Sequence, residues 1–263
     1  MNRWYQEFWL VGLTLLLGTL SSMAEDAPRQ WGDLKIRFRV AKAYEPRPIP
    51  VQAALRLGAA IHDESLIVNP ENLGVTNVLV YVNEGKGGIE LPEVDIAQQP
   101  PVQVQLQIVG GQLRPRISIA KTGDTVQVRN GDPFGHVIVV PFFVGPDVQG
   151  AIPPGGMHTF SVVRQPAPIP IACNVTPWTE GKMVVLGHRY AAVSDSEGLL
   201  EIKKLPVCEK LAFRIYHERA GRMQGLVLGN AEVDRRNVFQ IPIHDGVNDL
   251  GIVDLTEVLP LDE

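Results

Sequence analysis

Short stretches of alternating apolar and polar residues set the rhythm of this chain. "LKIRFRV" places apolar side chains at every second position, and "VQVQLQIV" and "TVQVR" keep the same period. Alternation of this kind turns one face of an extended strand toward a core and the other toward water. "TNVLVYV", "ISIA", "HVIVVPFFV", "KMVVLGH" and "LAFRIYH" are β-branched or aromatic runs, which also read as strands. Turn-forming clusters separate them: "EGKGG", "KTGD", "NGDPFG", "PPGG", "SDSEG" and "HDGVND". Asp195-x-x-Gly198 followed by "LLEIKKLP" reads as a hairpin turn and its strand. Helical periodicity is confined to a turn or two near "VQAALRLGAA". No fixed-period repeat interrupts the pattern. The pattern predicts an all-β chain of Greek-key or sandwich architecture.

The N-terminus departs from this rhythm. The apolar run "FWLVGLTLLLGTL" (Phe8 to Leu20) is followed by "SSMA", with small residues at Ser22 and Ala24. That is the layout of a secretory signal peptide over residues 1–24, with a mature chain starting near Glu25. The competing reading is an uncleaved anchor, for which the run is short. No later stretch is apolar enough to span a bilayer. The expected product is exported, periplasmic or extracellular, with no transmembrane domain after cleavage.

Composition narrows the function classes. The 263 residues suffice for one large domain or two small ones, and 45% apolar residues can fill a substantial core. The 21 prolines and 25 glycines suit a turn-rich β protein. A net charge of −5 and the lack of any basic run argue against a nucleic-acid partner. Export implies an oxidising compartment. The two cysteines, Cys173 and Cys208, can bridge or stay free, and the sequence leaves both open.

Residues 101–187 carry a resemblance. "TGDTVQVRNGDPFGHVIVV" places Asn130, Asp132 and His136 in order, "PPGGMHTFSV" follows, and "IACNVTPWTEGKMVV" supplies Cys173 before a Pro-Trp loop. These segments resemble a cupredoxin: its first ligand strand, the following turn and strand, and the loop whose family form is close to Cys-x-x-His-Pro-Trp-Met. The flanks, 30–98 and 188–258, resemble the two parts of a prealbumin-like sandwich of the carboxypeptidase regulatory type. "NVLVYV" and "AAVSDSEGLLEIKKLP" are the segments that match it. "IAQQPP" near Pro100 is a candidate linker, and a second boundary follows Gly187. The resemblance implies a secreted protein with a plastocyanin-like domain nested inside a second β-sandwich. It implies no established activity.

A blue-copper centre needs two imidazoles, a thiolate and a weak axial thioether. Here His136 and Cys173 match that set residue by residue. Thr176 stands where the second imidazole belongs and Thr179 where the thioether belongs. A hydroxyl is a hard, neutral, weak donor, and two ligands do not make a selective trigonal site. A replacement would have to come from His158 or from His188, next to the exit strand, though each reads first as a surface or hydrogen-bonded strand histidine. His217 does not open a His-Glu-x-x-His helix, because the fifth residue is Gly221. His62 and His244 sit in polar turns. Asn130 and Asp132 are expected to tie down their turn, and Trp178 to pack.

Cys173 then has three fates: a buried free thiol, a bridge to Cys208, or a reactive thiol whose pKa is lowered by His136. "NVT" (Asn174 to Thr176) fits the N-glycosylation pattern. No Gly-x-Ser-x-Gly, phosphate-binding glycine loop or EF-hand loop is present. The sequence therefore points to an exported, non-catalytic binding or scaffold protein on a degenerate cupredoxin fold, with no cofactor and a protein or glycan partner. The alternative is a copper electron-transfer or copper-handling protein using His136, Cys173 and a replacement ligand.

Overall fold

The computed structural model describes residues 31–49, 60–84, 91 and 99–261. The expected signal segment, the helical turn near "VQAALRLGAA" (residues 51–59 of it) and the first half of the "IAQQPP" linker (residues 96–98) lie outside the described residues. Among those described, the chain is all-β, with strands throughout and no helix. No helix there is long and apolar enough to cross a membrane.

The alternating runs form strands. Trp31–Arg39 buries every second residue (Gly32, Leu34, Ile36 and Phe38), as a one-sided pattern should. It is the middle of a three-stranded sheet, antiparallel to Leu199–Pro206 and parallel to Gly246–Asp254. A four-stranded sheet, ordered Ala191–Val193, Leu79–Val82, Cys208–Tyr216, Val238–Ile243, shares one apolar core with it. Leu34, Ile36 and Phe38 meet Val80, Val82, Phe213 and Phe239 in that core.

Two further sheets are built from strands between Gln103 and Leu186. Five strands run in the order Val148–Ile152, His136–Val140, Ile169–Cys173, Glu180–Leu186, Ile117–Lys121. Four run in the order Met157–Ser161, Thr125–Asn130, Gln103–Val109, Gln112–Arg114. Leu106, Val126, Val128, Ile138, Ile171 and Met183 fill the space between them. This is a cupredoxin-like β-sandwich.

Two strands join the cores. Leu79–Val82 is buried at all four positions. Val80 and Val82 face the first core, while Leu79 and Tyr81 face Ile117, Val184 and Leu186 of the inner sandwich. Glu180–Leu186 does the same in reverse, with Met183 and Val185 inward and Val184 and Leu186 outward. A strand covered on both faces reads as a continuous apolar run, which explains "VLVYV" and "MVVL". Ion pairs reinforce the seam. Arg116 donates to both oxygens of Glu218 at 2.7 and 2.9 Å. Arg189 forks onto Asp124 at 2.7 and 2.9 Å.

One turn differs from expectation. Asp195 and Gly198 do make a turn, but its two strands, Ala191–Val193 and Leu199–Pro206, belong to different sheets. The segment is a corner between sheets, not a hairpin. Gly198 (φ +73°) lets it pass: a Cβ there would sit 2.0 Å from the Phe38 carbonyl oxygen.

Candidate functional site

Strand pairing brings the two matching residues together. His136 opens the strand His136–Val140, and Cys173 closes Ile169–Cys173, with Cys173 opposite Ile138. The loop after Cys173 is pinned at once, because Asn174 N donates to Val137 O at 2.9 Å. Thr179 N donates to Thr176 O at 2.8 Å, which closes a tight turn over Pro177 and Trp178. The turn sets Thr176 Oγ1 beside the imidazole and Thr179 Oγ1 beside Thr176. His136, Cys173, Thr176 and Thr179 are each no more than 3% exposed.

Asn130 holds the turn before His136, as expected. Its amide donates to Phe134 O at 2.7 Å and Ile152 O at 3.0 Å, and its oxygen accepts from Asp132 N at 2.8 Å. Asp132 does more than sequence reasoning assigned to it. Its carboxylate accepts from Gly110 N at 2.6 Å and Gly111 N at 2.9 Å, in the Gly-Gly turn between Gln103–Val109 and Gln112–Arg114. It also lies 3.0 Å from His136 Nε2. The acid four residues ahead of the histidine was the only sequence signal for this contact.

On its other side the imidazole meets sulfur and oxygen. His136 Nδ1 is 3.3 Å from Cys173 Sγ and 3.2 Å from Thr176 Oγ1. Thr176 Oγ1 is 2.7 Å from Thr179 Oγ1, and Thr179 donates to Gly111 O at 2.5 Å. A carbonyl only accepts and each hydroxyl has one proton, so the direction of the chain is fixed. Thr179 spends its proton on Gly111, so Thr176 must donate to Thr179. That leaves Thr176 Oγ1 as an acceptor beside Nδ1, and the proton shared with Cys173 lies on Nδ1 when the cysteine is a thiolate and on Sγ when it is a thiol. Nε2 faces a carboxylate and carries a proton. With Cys173 as a thiolate, His136 is an imidazolium between two anions, the Asp132 carboxylate and the Cys173 thiolate.

The acid–base tendencies agree. Burial alone would lower the His136 pKa, but the bonds to Cys173 and Asp132 outweigh it and raise it. Burial alone would raise the Cys173 thiol, but the His136 contact and nearby backbone N–H groups bring it down to about 6.

These residues do not fit a blue-copper ion. His136 and Cys173 offer one imidazole and one sulfur, and hydroxyls stand where the second imidazole and the thioether would be needed. The two threonine hydroxyls are engaged with each other and with Gly111. The candidate replacements are held elsewhere. His158 lies on Met157–Ser161 in the opposite sheet, its ring filling the space over Gly150 beside Phe160. His188 is fully buried, with Nε2 donating to Val82 O at 3.1 Å and Nδ1 accepting from Tyr190 N at 3.0 Å. Met183 is core and Met157 is 56% exposed. Among the described residues, no group of three or more His, Cys, Asp or Glu is placed to hold a metal ion.

Cys173 and Cys208 are both unpaired. Cys208 sits in the outer sandwich, against the other core. His217 lies just past the strand Cys208–Tyr216, buried, with Nδ1 accepting from Arg219 N at 3.2 Å. His244 is exposed, while His62 lies in the short strand Ile61–His62 rather than in a turn. Trp178 is half-buried, and its Nε1 has no hydrogen-bond partner. Asn174 is exposed, but Thr176 of the same sequon is buried.

No family model matches the chain. No curated protein matches it either. Among solved structures, it is similar to a reduced, Cu(I) form of an amicyanin variant, with 19% identity over 34% of this chain and 88% of that one, at a TM-score of 0.29. It is also similar to a Cu-containing nitrite reductase from Thermus scotoductus SA-01, with 21% identity over 46% of this chain and 31% of that one, at a TM-score of 0.31.

Proposed function

We propose that this chain is an exported, non-catalytic binding or scaffold protein, built on a cupredoxin-like sandwich whose metal position is closed by the protein's own hydrogen bonds. One observation carries the reading: Thr176 and Thr179 are tied to His136, to each other and to Gly111 O, where a blue-copper ion would need a second imidazole and a thioether. A thiol 3% exposed also gives a substrate no line of approach, which supports a structural rather than a catalytic Cys173. Strands before Gln103 and after Leu186 pair with one another, which supports a second, prealbumin-like sandwich assembled from 30–98 and 188–258 around the cupredoxin-like domain at 101–187. The N-terminal pattern supports a cleaved signal over 1–24 and a periplasmic or extracellular location. The partner class is a protein or a glycan.

The test is a titration of the purified protein with Cu(II) and Cu(I), following bound metal and visible absorption, with Cys173→Ser as control. The reading predicts no stoichiometric copper and no thiolate charge-transfer band. A stoichiometric complex whose band is lost in the C173S variant would instead establish a copper protein using His136, Cys173 and a donor recruited on binding.

A further inference from the structure

The seam between the two sandwiches opens at one end into a cleft of about 410 Å³. That volume lies within the range of small-molecule sites. Its floor comes from both units: the end of Leu79–Val82 with Asn83 and Glu84, Arg214 from Cys208–Tyr216, and Leu186. Its rim is the inner-sandwich loop carrying Val144 and the segment Arg164 to Pro166.

Buried polar atoms without a hydrogen-bond partner are uncommon, and each calls for an explanation. Six side-chain atoms among the described residues are of this kind. Three of them, Asn83 Nδ2, Glu84 Oε2 and Arg214 Nε, belong to residues lining this cleft. Asn83 is itself only 3% exposed. Two of the three are donors that lack an acceptor.

The charge points the same way. Two guanidinium groups, Arg164 and Arg214, and one carboxylate, Glu84, line the cleft, and Glu84 lies 3.5 Å from Arg164 and 3.7 Å from His188 Nε2. His188 adds no charge, because its two nitrogens donate to Val82 O and accept from Tyr190 N. The cleft is thus net positive in a chain whose net charge is −5. Its remaining lining is apolar, from Val82, Val144, Pro166 and Leu186. The rim is fixed in place by Gln165, which accepts from Phe143 N and Val144 N and donates to Val144 O and Val163 O. Phe143 and Val144, 64% and 53% exposed, leave an apolar shoulder beside the opening.

We infer that this cleft is a binding site for a small organic carboxylate with an apolar body: the carboxylate accepts from Asn83, Arg214 and Arg164, and the body lies on Val82, Val144, Pro166 and Leu186. A preformed pocket with fixed walls and unfilled donors loses little order on binding, so the head group should dominate the selectivity. The site does not rest on the reading of the Cys173 centre, and a copper complex there would leave it standing.

The experiment is calorimetry on the full chain with three probes of equal length, hexanoate, hexanol and hexylammonium, and with phenylacetate as an aromatic acid. One-to-one binding of an acid is expected, at least tenfold tighter than hexanol and hexylammonium. Arg164→Met and Arg214→Met should each weaken the acid at least tenfold and leave hexanol unchanged. Arg164 is 52% exposed, so its variant tests the site without threatening the fold. Neither acid binding, hexanol or hexylammonium binding as tightly as the acids, or full affinity in a correctly folded R164M protein would overturn the assignment.

Discussion

The His136 imidazole is bracketed by Asp132 and Cys173, and the two threonines beside it are committed to each other. Thr179 donates to Gly111 O, a carbonyl 68 residues earlier in the chain, and that one bond sets the direction of both threonine hydroxyls. Two outcomes follow at this scale. Thr179→Val keeps the shape but strands both Gly111 O and the Thr176 hydroxyl, so chemical denaturation should show a loss of about 1–3 kcal/mol. Thiolate absorbance in the ultraviolet should titrate with a midpoint of about 6 in the folded protein and vanish in Cys173→Ser. A midpoint near an ordinary thiol would remove the ion pair. The sequence showed His136, Cys173 and the two threonines in ligand order, and so showed what the site lacks. It did not show what the threonines do instead, because their partner lies in a distant hairpin turn. Asp132 was legible as a turn residue but not as the second anion on His136, since an acid before a histidine in a turn points as readily into water.

At the scale of elements, the period-two runs were legible wherever one face is buried. Trp31–Arg39 and Thr125–Asn130 alternate in burial as they alternate in sequence. Gly246–Asp254 was not legible, and "HDGVND" read as a turn. That strand is an edge whose positions are mostly exposed, so it needs no apolar alternation and owes its place to pairing with Trp31–Arg39. The corner at Gly198 was misread for a related reason: a turn signature fixes the local bend, while the sheet each arm joins depends on distant partners. Gly198→Ala should cost at least about 2 kcal/mol, because it combines a left-handed φ with a collision against backbone. Equilibrium unfolding would measure it, and a neutral result would mean that the corner is not packed as described.

The whole molecule is held by a seam with charged and apolar parts. Glu218→Gln removes the main anion on Arg116, whose side chain is 7% exposed, and should destabilise by roughly 3 kcal/mol. Glu180, 3.0 Å from the same guanidinium, keeps the loss from being larger. Two buried histidines outside the Cys173 site set the response to acid. Burial lowers His188 and His217 to about 4 each, and nearby arginines add to it, while Glu84 pulls His188 only part of the way back. The unfolded chain takes up these protons near pH 6.5 and the folded chain only near 4. The unfolded state therefore binds more protons in that interval, and stability present above pH 6.5 falls as the pH drops toward 4. The loss should be on the order of 2–3 kcal/mol per histidine. Denaturant midpoints between pH 7 and pH 4.5 check the slope, and a flat profile would place both imidazoles in water.

The central claim is that the protein's own hydrogen bonds occupy the position a metal would take, and the state of one nitrogen tests it most directly. Nitrogen-15 NMR of the His136 side chain near pH 7, assigned with a His136→Gln variant, reads the protonation of Nδ1 and Nε2 separately. The account predicts an imidazolium with a proton on both nitrogens, persisting above the pH at which an ordinary histidine has lost its charge. A neutral ring with a bare Nδ1 facing Cys173 would contradict it.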